Sequence, residues 1–130
     1  MKTSELTGPA LDWAVAKCQG VKLHPVPQNG VMEIHFSEPD GCTTYQPSTD
    51  WAQGGPIIER EEIELHVIPN MRDPANWGNC TDEDKWCANI WPSDADLIKM
   101  AGPTPLIAAM RVYVASKLGD DVEIPKELTA

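Results

Sequence analysis

The clearest hydrophobic pattern lies near the end of the chain. Over residues 104–118, apolar side chains recur at the three- and four-residue spacing that places them on one face of a helix. Thr104 is a favourable N-cap, Pro105 suits the first turn, and Gly119 follows the last apolar residue. The pattern predicts an amphipathic helix over residues 104–118.

A second helix is predicted over residues 7–19. Pro9 suits its first turn, and Gly20 can end it in the left-handed conformation. Asp12 and Lys17 fall outside the face formed by its apolar residues. Those apolar residues are Ala10, Leu11, Ala14, Val15 and Cys18.

Short segments with partial alternation predict β-strands between the two helices. They cover residues 21–23, 31–36, 63–68 and 85–91. Turn-forming residues fill three other segments, 24–30, 37–56 and 69–83, which are predicted as turns or loops. Residues 56–62 suit a single helical turn, and the tail, which alternates through Val122 and Ile124, is expected to dock on the body.

Two helices and four or five short strands in mixed order predict an α+β fold. No spacing typical of β-α-β units recurs, so the sheet is expected to be mostly antiparallel. We expect a single small domain, residues 1–130, in which helices 7–19 and 104–118 pack on a short sheet.

Charge and composition narrow the classes of function. Ten basic and twenty acidic residues give a formal net charge of −10, which disfavours a nucleic-acid partner because such binding depends on Lys and Arg. The chain has no apolar run long enough to span a membrane and begins without the apolar core of a secretory signal. We therefore expect a soluble, cytoplasmic protein without a membrane partner, whose four cysteines are reduced thiols.

Metal and catalytic motifs are missing from the sequence. The histidines His24, His35 and His66 are isolated, and Cys80 and Cys87 lack the spacing of a zinc site. No nucleophile motif occurs. A carboxylate pair, Asp50 with Glu59, is conceivable, but Asp50 is better suited to cap the turn that follows it. We predict no metal site, no cofactor and no catalytic residue, and we favour a binding protein over an enzyme.

The segment Ser48–Glu61 is the best candidate site. Trp51 supplies a flat aromatic face, and Asp50 and Gln53 can read the polar edges of a ligand. Gly54 and Gly55, which precede Pro56, are expected to take positive φ and to bring the backbone close to a bound group.

To bind a ligand with an anionic group, the site needs hydrogen-bond donors or cationic side chains. The start of the helix at Thr104 attracts anions, and Arg60 and Arg111 are two of the three arginines. Arg111 lies at the edge of the apolar stripe, so we expect it to pair with Glu59 or Glu61 or to bind the anion. The candidate ligand-binding residues are Tyr45, Ser48, Thr49, Asp50, Trp51, Gln53, Gly54, Gly55, Arg60, Thr104 and Arg111.

Three segments of the chain resemble the NinX family of small lambdoid-phage proteins. They are Thr3–Lys17, Pro47–Glu61, and Gly102–Arg111 with Tyr113–Gly119. The chain departs from the family pattern in residues 64–100, which carry Cys80, Trp86, Cys87 and Trp91. The resemblance implies an accessory phage protein made in a bacterial host, and it supplies no activity.

These features lead to one hypothesis and two alternatives. The hypothesis is a site that binds a small nucleotide-like metabolite without turnover, with the ligand ring stacked on Trp51 or Tyr45, and that sequesters a host defence signal. The first alternative is an acidic module that inhibits a host protein through a surface anchored by Trp51. The second is a small nucleotide-processing enzyme. We also expect a homo-oligomer, such as a dimer.

Overall fold

The computed structural model describes residues 1–20, 24–28, 31–38, 41–69, 83–92, 96–125 and 128, and between residues 24 and 44 it describes the backbone only. A short 3-10 helix, Thr3–Glu5, precedes three α-helices: α1 (Gly8–Gln19), α2 (Trp51–Arg60) and α3 (Pro105–Leu118).

Six strands form two antiparallel sheets of three strands each. The first sheet has the order β1 (His24–Gln28), β2 (Val31–Glu38) and β3 (Gly41–Thr44). The second has the order β4 (Glu64–Val67), β5 (Trp86–Ile90) and β6 (Ile98–Gly102). The α+β class predicted from the sequence is confirmed, and the strands are divided between two sheets instead of one.

Pairs of residues on adjacent strands define the register of each sheet. In the first sheet His24 lies opposite His35, and Ser37 lies opposite Cys42. In the second sheet Glu64 lies opposite Asn89. Strand β5 is central, so its residue Trp86 pairs with Val67 of β4 on one side and with Gly102 of β6 on the other.

Helix α3 is the centre of the core. It packs against β5 and β6 on one side and against α1 and α2 on others. Residues 108–115 are all buried, including Arg111. A helix buried on all sides is expected at the centre of a fold, so α3 is more enclosed than the amphipathic helix that the sequence predicted.

Helix α1 confirms the prediction for residues 7–19. Pro9 lies in its first turn, and Gly20 ends it in the left-handed region with φ 71°. One residue differs: Asp12, predicted to lie outside the apolar face, is only 3% exposed. Its burial is explained by a contact with the turn before α2, described below.

The central part of the chain differs most from the prediction. The long loop predicted over residues 37–56 is wrong, because β3 and most of α2 lie there. The turn predicted over residues 24–30 is also wrong where β1 forms, and β6 was not predicted. The strand predicted over residues 21–23 lies outside the described residues, as does most of the loop predicted over 69–83.

Three strands and the tail follow the sequence prediction. Strand β2 covers the predicted segment 31–36. Strands β4 and β5 lie within the segments 63–68 and 85–91. The tail docks as predicted, because Val122 is buried and its N–H donates to the Met1 carbonyl at 2.9 Å. The Thr3 hydroxyl donates to the Gly119 carbonyl at 2.7 Å, which ties the start of the chain to the end of α3.

Candidate functional site

The start of α2 is organised by two side-chain caps. Asp50 Oδ1 accepts a hydrogen bond from the Ala52 N–H at 2.9 Å, as expected for a residue that caps the turn. Gln53 Oε1 accepts from the Gln46 N–H at 2.7 Å. Both side chains that were expected to read a ligand therefore also hold the local backbone.

Trp51 is the first residue of α2, and its side chain projects into solvent. The residue is 54% exposed, and Thr49 and Ala52 beside it are exposed as well. A tryptophan normally buries most of its large apolar surface. The ring is therefore an accessible flat surface at the N-terminal end of a helix.

Gly54 packs α2 against the body of the protein. A Cβ atom built at this position would lie 2.4 Å from the Pro47 carbonyl oxygen and 2.6 Å from Leu106 Cδ2. Only glycine permits so close an approach. Because Gly54 and Leu106 are both in the first turn of their helices, the contact brings the N-terminal ends of α2 and α3 together.

The expectation that Gly54 and Gly55 take positive φ is wrong. Both lie within the right-handed helix α2, and among the described residues positive φ occurs only at Glu62 and at three other glycines. Gly54 approaches the protein's own chain, whereas a Cβ at Gly55 would meet open space. Gly55 also precedes Pro56, and the absence of a Cβ relieves the clash that disfavours helical geometry before proline.

Thr104 caps α3 as predicted. Its Oγ1 accepts a hydrogen bond from the Ile107 N–H at 3.1 Å, and its side chain is exposed. The start of α3 therefore lies beside the start of α2 with its capping residue at the surface. The association between the segment Ser48–Glu61 and the Thr104 helix is the part of the predicted site that the structure brings together.

Ser48 connects the same region to α1. Its N–H donates to Asp12 Oδ1 at 2.8 Å, and both residues are buried. The Ser48 Oγ has no hydrogen-bond partner of acceptable geometry among the described residues, although it lies close enough to the carboxyl group to lower the pKa of Asp12. Burial has the larger effect and raises the pKa of Asp12 from 3.8 to about 7.

Tyr45 belongs to the core and not to the surface. Its ring lies in the main hydrophobic cluster, and its hydroxyl donates to Gln19 Oε1. Burial, with a smaller effect from the nearby Asp12 carboxylate, raises the pKa of the Tyr45 phenol well above its usual range. Most of the ring face that was expected to stack on a ligand is covered by protein.

The Arg111 side chain is buried and stabilises the protein interior. It is 5% exposed, its Nε donates to the Leu6 carbonyl at 2.9 Å, and its Nη1 donates to the Ala101 carbonyl at 2.8 Å. Its ion-pair partner is Asp84, at 3.8 Å, and not Glu59 or Glu61 as expected. Burial lowers the pKa of the guanidinium, and Asp84 opposes that change. The guanidinium is thus surrounded by groups of its own chain.

Arg60 lies at the opposite end of α2 from Trp51 and is exposed. Its Nε donates to Glu61 Oε2 at 3.1 Å, so one of the two carboxylates expected for Arg111 is engaged by Arg60. The Glu61 interaction is the main cause that raises the pKa of Arg60 above its ordinary value.

The part of the chain that the structure describes contains neither a candidate metal cluster nor a candidate membrane-spanning helix. There, no group of three or more His, Cys, Asp and Glu side chains is arranged to hold a metal ion. The side chains of His24, His35, Cys42 and Cys80 lie outside that part. None of the described helices is long and apolar enough to cross a membrane.

Comparison with protein families decides the relationship that the sequence motifs indicated. The family model described as bacteriophage P22 NinX matches residues 2–117. The chain belongs to the NinX family. The match includes residues 64–100, so β4, β5 and β6 lie within the part of the chain that the family model covers. The comparison with curated proteins gives no match.

Several residues of this NinX chain were missed by sequence reasoning. Asp12 and Asp84 are buried carboxylates whose partners are far away along the chain, so no local spacing could have found them. The Lys117 Nζ lies 3.7 Å from Glu61 Oε1, and Lys117 was not singled out in the sequence. One sequence feature could have indicated the special role of Asp12: it is a charged residue that lies among the apolar residues of a helical segment.

Proposed function

We propose that this NinX protein binds a small nucleotide-like ligand, without turnover, where the N-terminal ends of α2 and α3 meet. The observation that carries the proposal is the position of Trp51. Its exposed ring stands at the start of α2, and the Gly54–Leu106 contact places the start of α3 beside it. An aromatic surface next to two helix N-termini suits a ligand with a flat ring and an anionic group.

The ring of Trp51 is the stacking surface in this proposal. Stacking of a base on an aromatic side chain contributes about 1–3 kcal/mol and does not depend strongly on which base is bound. Trp51 meets the main requirement, because an exposed ring can receive a base without rearrangement of the core.

The helix ends are the anion-binding part of the proposal. Each helix N-terminus carries the positive end of the helix dipole and backbone N–H groups that favour an anion. The caps Asp50 and Thr104 use the N–H groups of Ala52 and Ile107. Thr49 and Thr104 are exposed residues near these helix ends and carry hydroxyl groups.

The remaining predicted residues support the shape of the site in this proposal. Gln53 and Asp50 fix the turn, Gly54 sets the distance between the helices, and Ser48 attaches the turn to α1. Tyr45 and Arg111 stabilise the core behind them. Ligand specificity would then come from Thr49, Trp51 and Thr104 at the surface.

The biological purpose we propose is sequestration. A phage protein that holds a nucleotide tightly and does not convert it would lower the free concentration of a host defence signal. This purpose depends on the binding proposal and on the membership of the chain in a phage family.

A thermal-shift panel tests the binding directly. The purified protein is heated with cyclic nucleotides and ADP-ribose-type nucleotides, and separately its absorbance near 260 nm is measured after denaturation to find a ligand that co-purified. A raised melting temperature with at least one nucleotide supports the proposal. No shift with any nucleotide and no released chromophore would reject it. Chromatography of the bound nucleotide after incubation separates a binding protein from an enzyme.

A second function is favoured by a specific observation. Trp51 and Trp91 are exposed to nearly the same extent, 54% and 53%, on a chain of net charge −10. Exposed tryptophans are frequent anchors of protein interfaces. The alternative is therefore an inhibitor of a basic host protein. Capture of one stoichiometric host protein by the wild type, lost in Trp51→Ala, would favour it over nucleotide binding.

A further inference from the structure

The hairpin of β1 and β2 brings together two histidines that are isolated in the sequence. His24 lies directly opposite His35 in the register of this antiparallel pair. Residues that lie directly opposite each other occupy the same face of a sheet, with Cβ atoms about 4.5–5.5 Å apart. Two of the three histidines of the chain are therefore neighbours across the hairpin.

Glu33 belongs to the same face of the hairpin. It precedes His35 by two positions on β2, and successive residues of a strand alternate between the two faces. Glu33 lies opposite Val26, so it is also the diagonal neighbour of His24. Diagonal positions on adjacent strands are about 7–8 Å apart, a distance that long side chains can bridge. The hairpin thus places Glu33 next to both histidines.

Apolar residues fill most of the opposite face of the hairpin. An antiparallel sheet commonly has one apolar face and one polar face, and the register of β1 and β2 follows this rule. Except for Glu38 at the strand end, the residue types that can bind a metal ion share the face of His24. The residues of the opposite face are Pro25, Pro27, Met32, Ile34, Phe36 and Glu38.

Two histidines and one glutamate are a donor set that suits a transition-metal ion. Zinc sites of this composition use three protein ligands and leave a fourth position for water. The ligands must come close together, because zinc binds nitrogen and oxygen atoms at about 2.0–2.2 Å. Cross-strand and diagonal neighbours on one face of a hairpin meet this requirement.

Cys42 of β3 is a weaker candidate for a ligand. It lies opposite Ser37 and shares the face of His35. From His24, however, it is two strands away, which corresponds to about 10 Å. A cysteine has a short side chain, so Glu33 is better placed than Cys42 to share one ion with both histidines.

We propose that His24, Glu33 and His35 form a binding site for a divalent transition-metal ion, for which Zn²⁺ is the best fit. Local spacing in the sequence does not indicate the site, because its residues become neighbours only when the hairpin forms. The site involves neither Trp51 nor the helix N-termini, so the inference does not rest on the proposed function.

Calorimetric titration with zinc chloride tests the site. The wild-type protein is first freed of metal with a chelator, and its thiols are kept reduced. We expect one zinc ion per chain, with an affinity that falls as the pH is lowered through about 6.5, because an imidazole must be neutral to bind metal. His24→Gln, His35→Gln and Glu33→Gln should each weaken binding roughly tenfold or more, because a direct ligand matters at least as much as the groups that orient it.

His66→Gln is the matched control. His66 is the third histidine, and it lies exposed on β4 in the other sheet. This variant should bind zinc as the wild type does, and Cys42→Ser should lose less affinity than Glu33→Gln. Circular dichroism without zinc shows whether each variant is folded.

Nuclear magnetic resonance of the wild type gives a measurement that does not depend on substitutions. Zinc should shift the ring resonances of His24 and His35 and leave those of His66 unchanged. Failure of the wild type to bind zinc overturns the proposal, and so does zinc binding that shifts only the His66 resonances. Unchanged affinity in folded His24→Gln and His35→Gln would also overturn it, as would a larger loss in Cys42→Ser than in Glu33→Gln.

Discussion

The Asp12 carboxylate accepts the backbone N–H of Ser48 at 2.8 Å, across 36 residues of sequence. The bond joins the first turns of α1 to the turn that leads into Trp51. Asp12 is 3% exposed, and burial raises the pKa of its carboxyl group to about 7. A titratable group in the core therefore holds the base of the candidate site.

The first prediction concerns pH. The folded protein holds the Asp12 proton more tightly than the unfolded chain does, because the pKa is raised from 3.8 to about 7. The stabilisation is complete below pH 3.8 and is lost as the pH rises through 7. Asp12→Asn keeps an oxygen for the Ser48 N–H and removes the charge. Its unfolding free energy should exceed that of the wild type at pH 8 by on the order of 3 kcal/mol.

The measurement is urea unfolding of both proteins from pH 4 to pH 8. Comparison of the two proteins cancels the titration of all other carboxylates. The advantage of Asp12→Asn should grow from pH 4 to about pH 7 and level off above that value. A constant difference between the two proteins would show that the Asp12 carboxyl does not change its ionisation in the core.

The second prediction concerns the contact between α2 and α3. Gly54→Ala places a methyl group against the Pro47 carbonyl and Leu106, so the backbone must shift. We expect a loss of about 1–3 kcal/mol in the unfolding free energy. Chemical unfolding at neutral pH measures it.

Gly55→Ala is the paired control for Gly54. Its Cβ would meet open space, and the higher helix propensity of alanine opposes crowding by the ring of Pro56. The change in stability should stay within about 1 kcal/mol. Equal effects of the two substitutions would contradict the close approach of α2 to α3.

The third prediction concerns Arg111. Arg111→Met fills similar volume but removes the donors to the Leu6 and Ala101 carbonyls and an ion-pair partner of buried Asp84. The loss of unfolding free energy should be on the order of 3 kcal/mol. Arg111→Lys should recover only part of it, since an ammonium cannot reproduce the planar fork. A loss below about 1 kcal/mol in the Met variant would exclude the structural role.

Sequence patterns predicted the elements whose signals are local. The caps and glycines of α1 and α3 lie directly beside the apolar segments that they end, and Asp50 was recognised as a cap from its own neighbours. Helix α2 was missed because Gly54, Gly55 and Pro56 are helix-breaking residues. Its helical form depends on packing against Pro47 and Leu106, which are contacts that no local rule contains.

In the candidate site, too, some features were predicted from the sequence and others depend on contacts made only in the fold. The pairing of the Ser48–Glu61 segment with the start of α3 was anticipated, and Trp51 and Thr104 are exposed there. The partner of Arg111 was predicted wrongly because Asp84 precedes β5 and reaches Arg111 only through the sheet packing on α3. Charges that are far apart in sequence can be paired only once the fold is known.

The central claim is that Trp51 is the stacking surface for a nucleotide. The most direct measurement is calorimetric titration of the wild type, Trp51→Ala and Trp91→Ala with the nucleotide that gives the largest thermal shift. Both tryptophans are about half exposed, so neither substitution should disturb the core, and Trp91 is the matched control. The account predicts that Trp51→Ala weakens binding roughly 5- to 150-fold while Trp91→Ala binds as the wild type does. Equal affinity of Trp51→Ala and the wild type would contradict it.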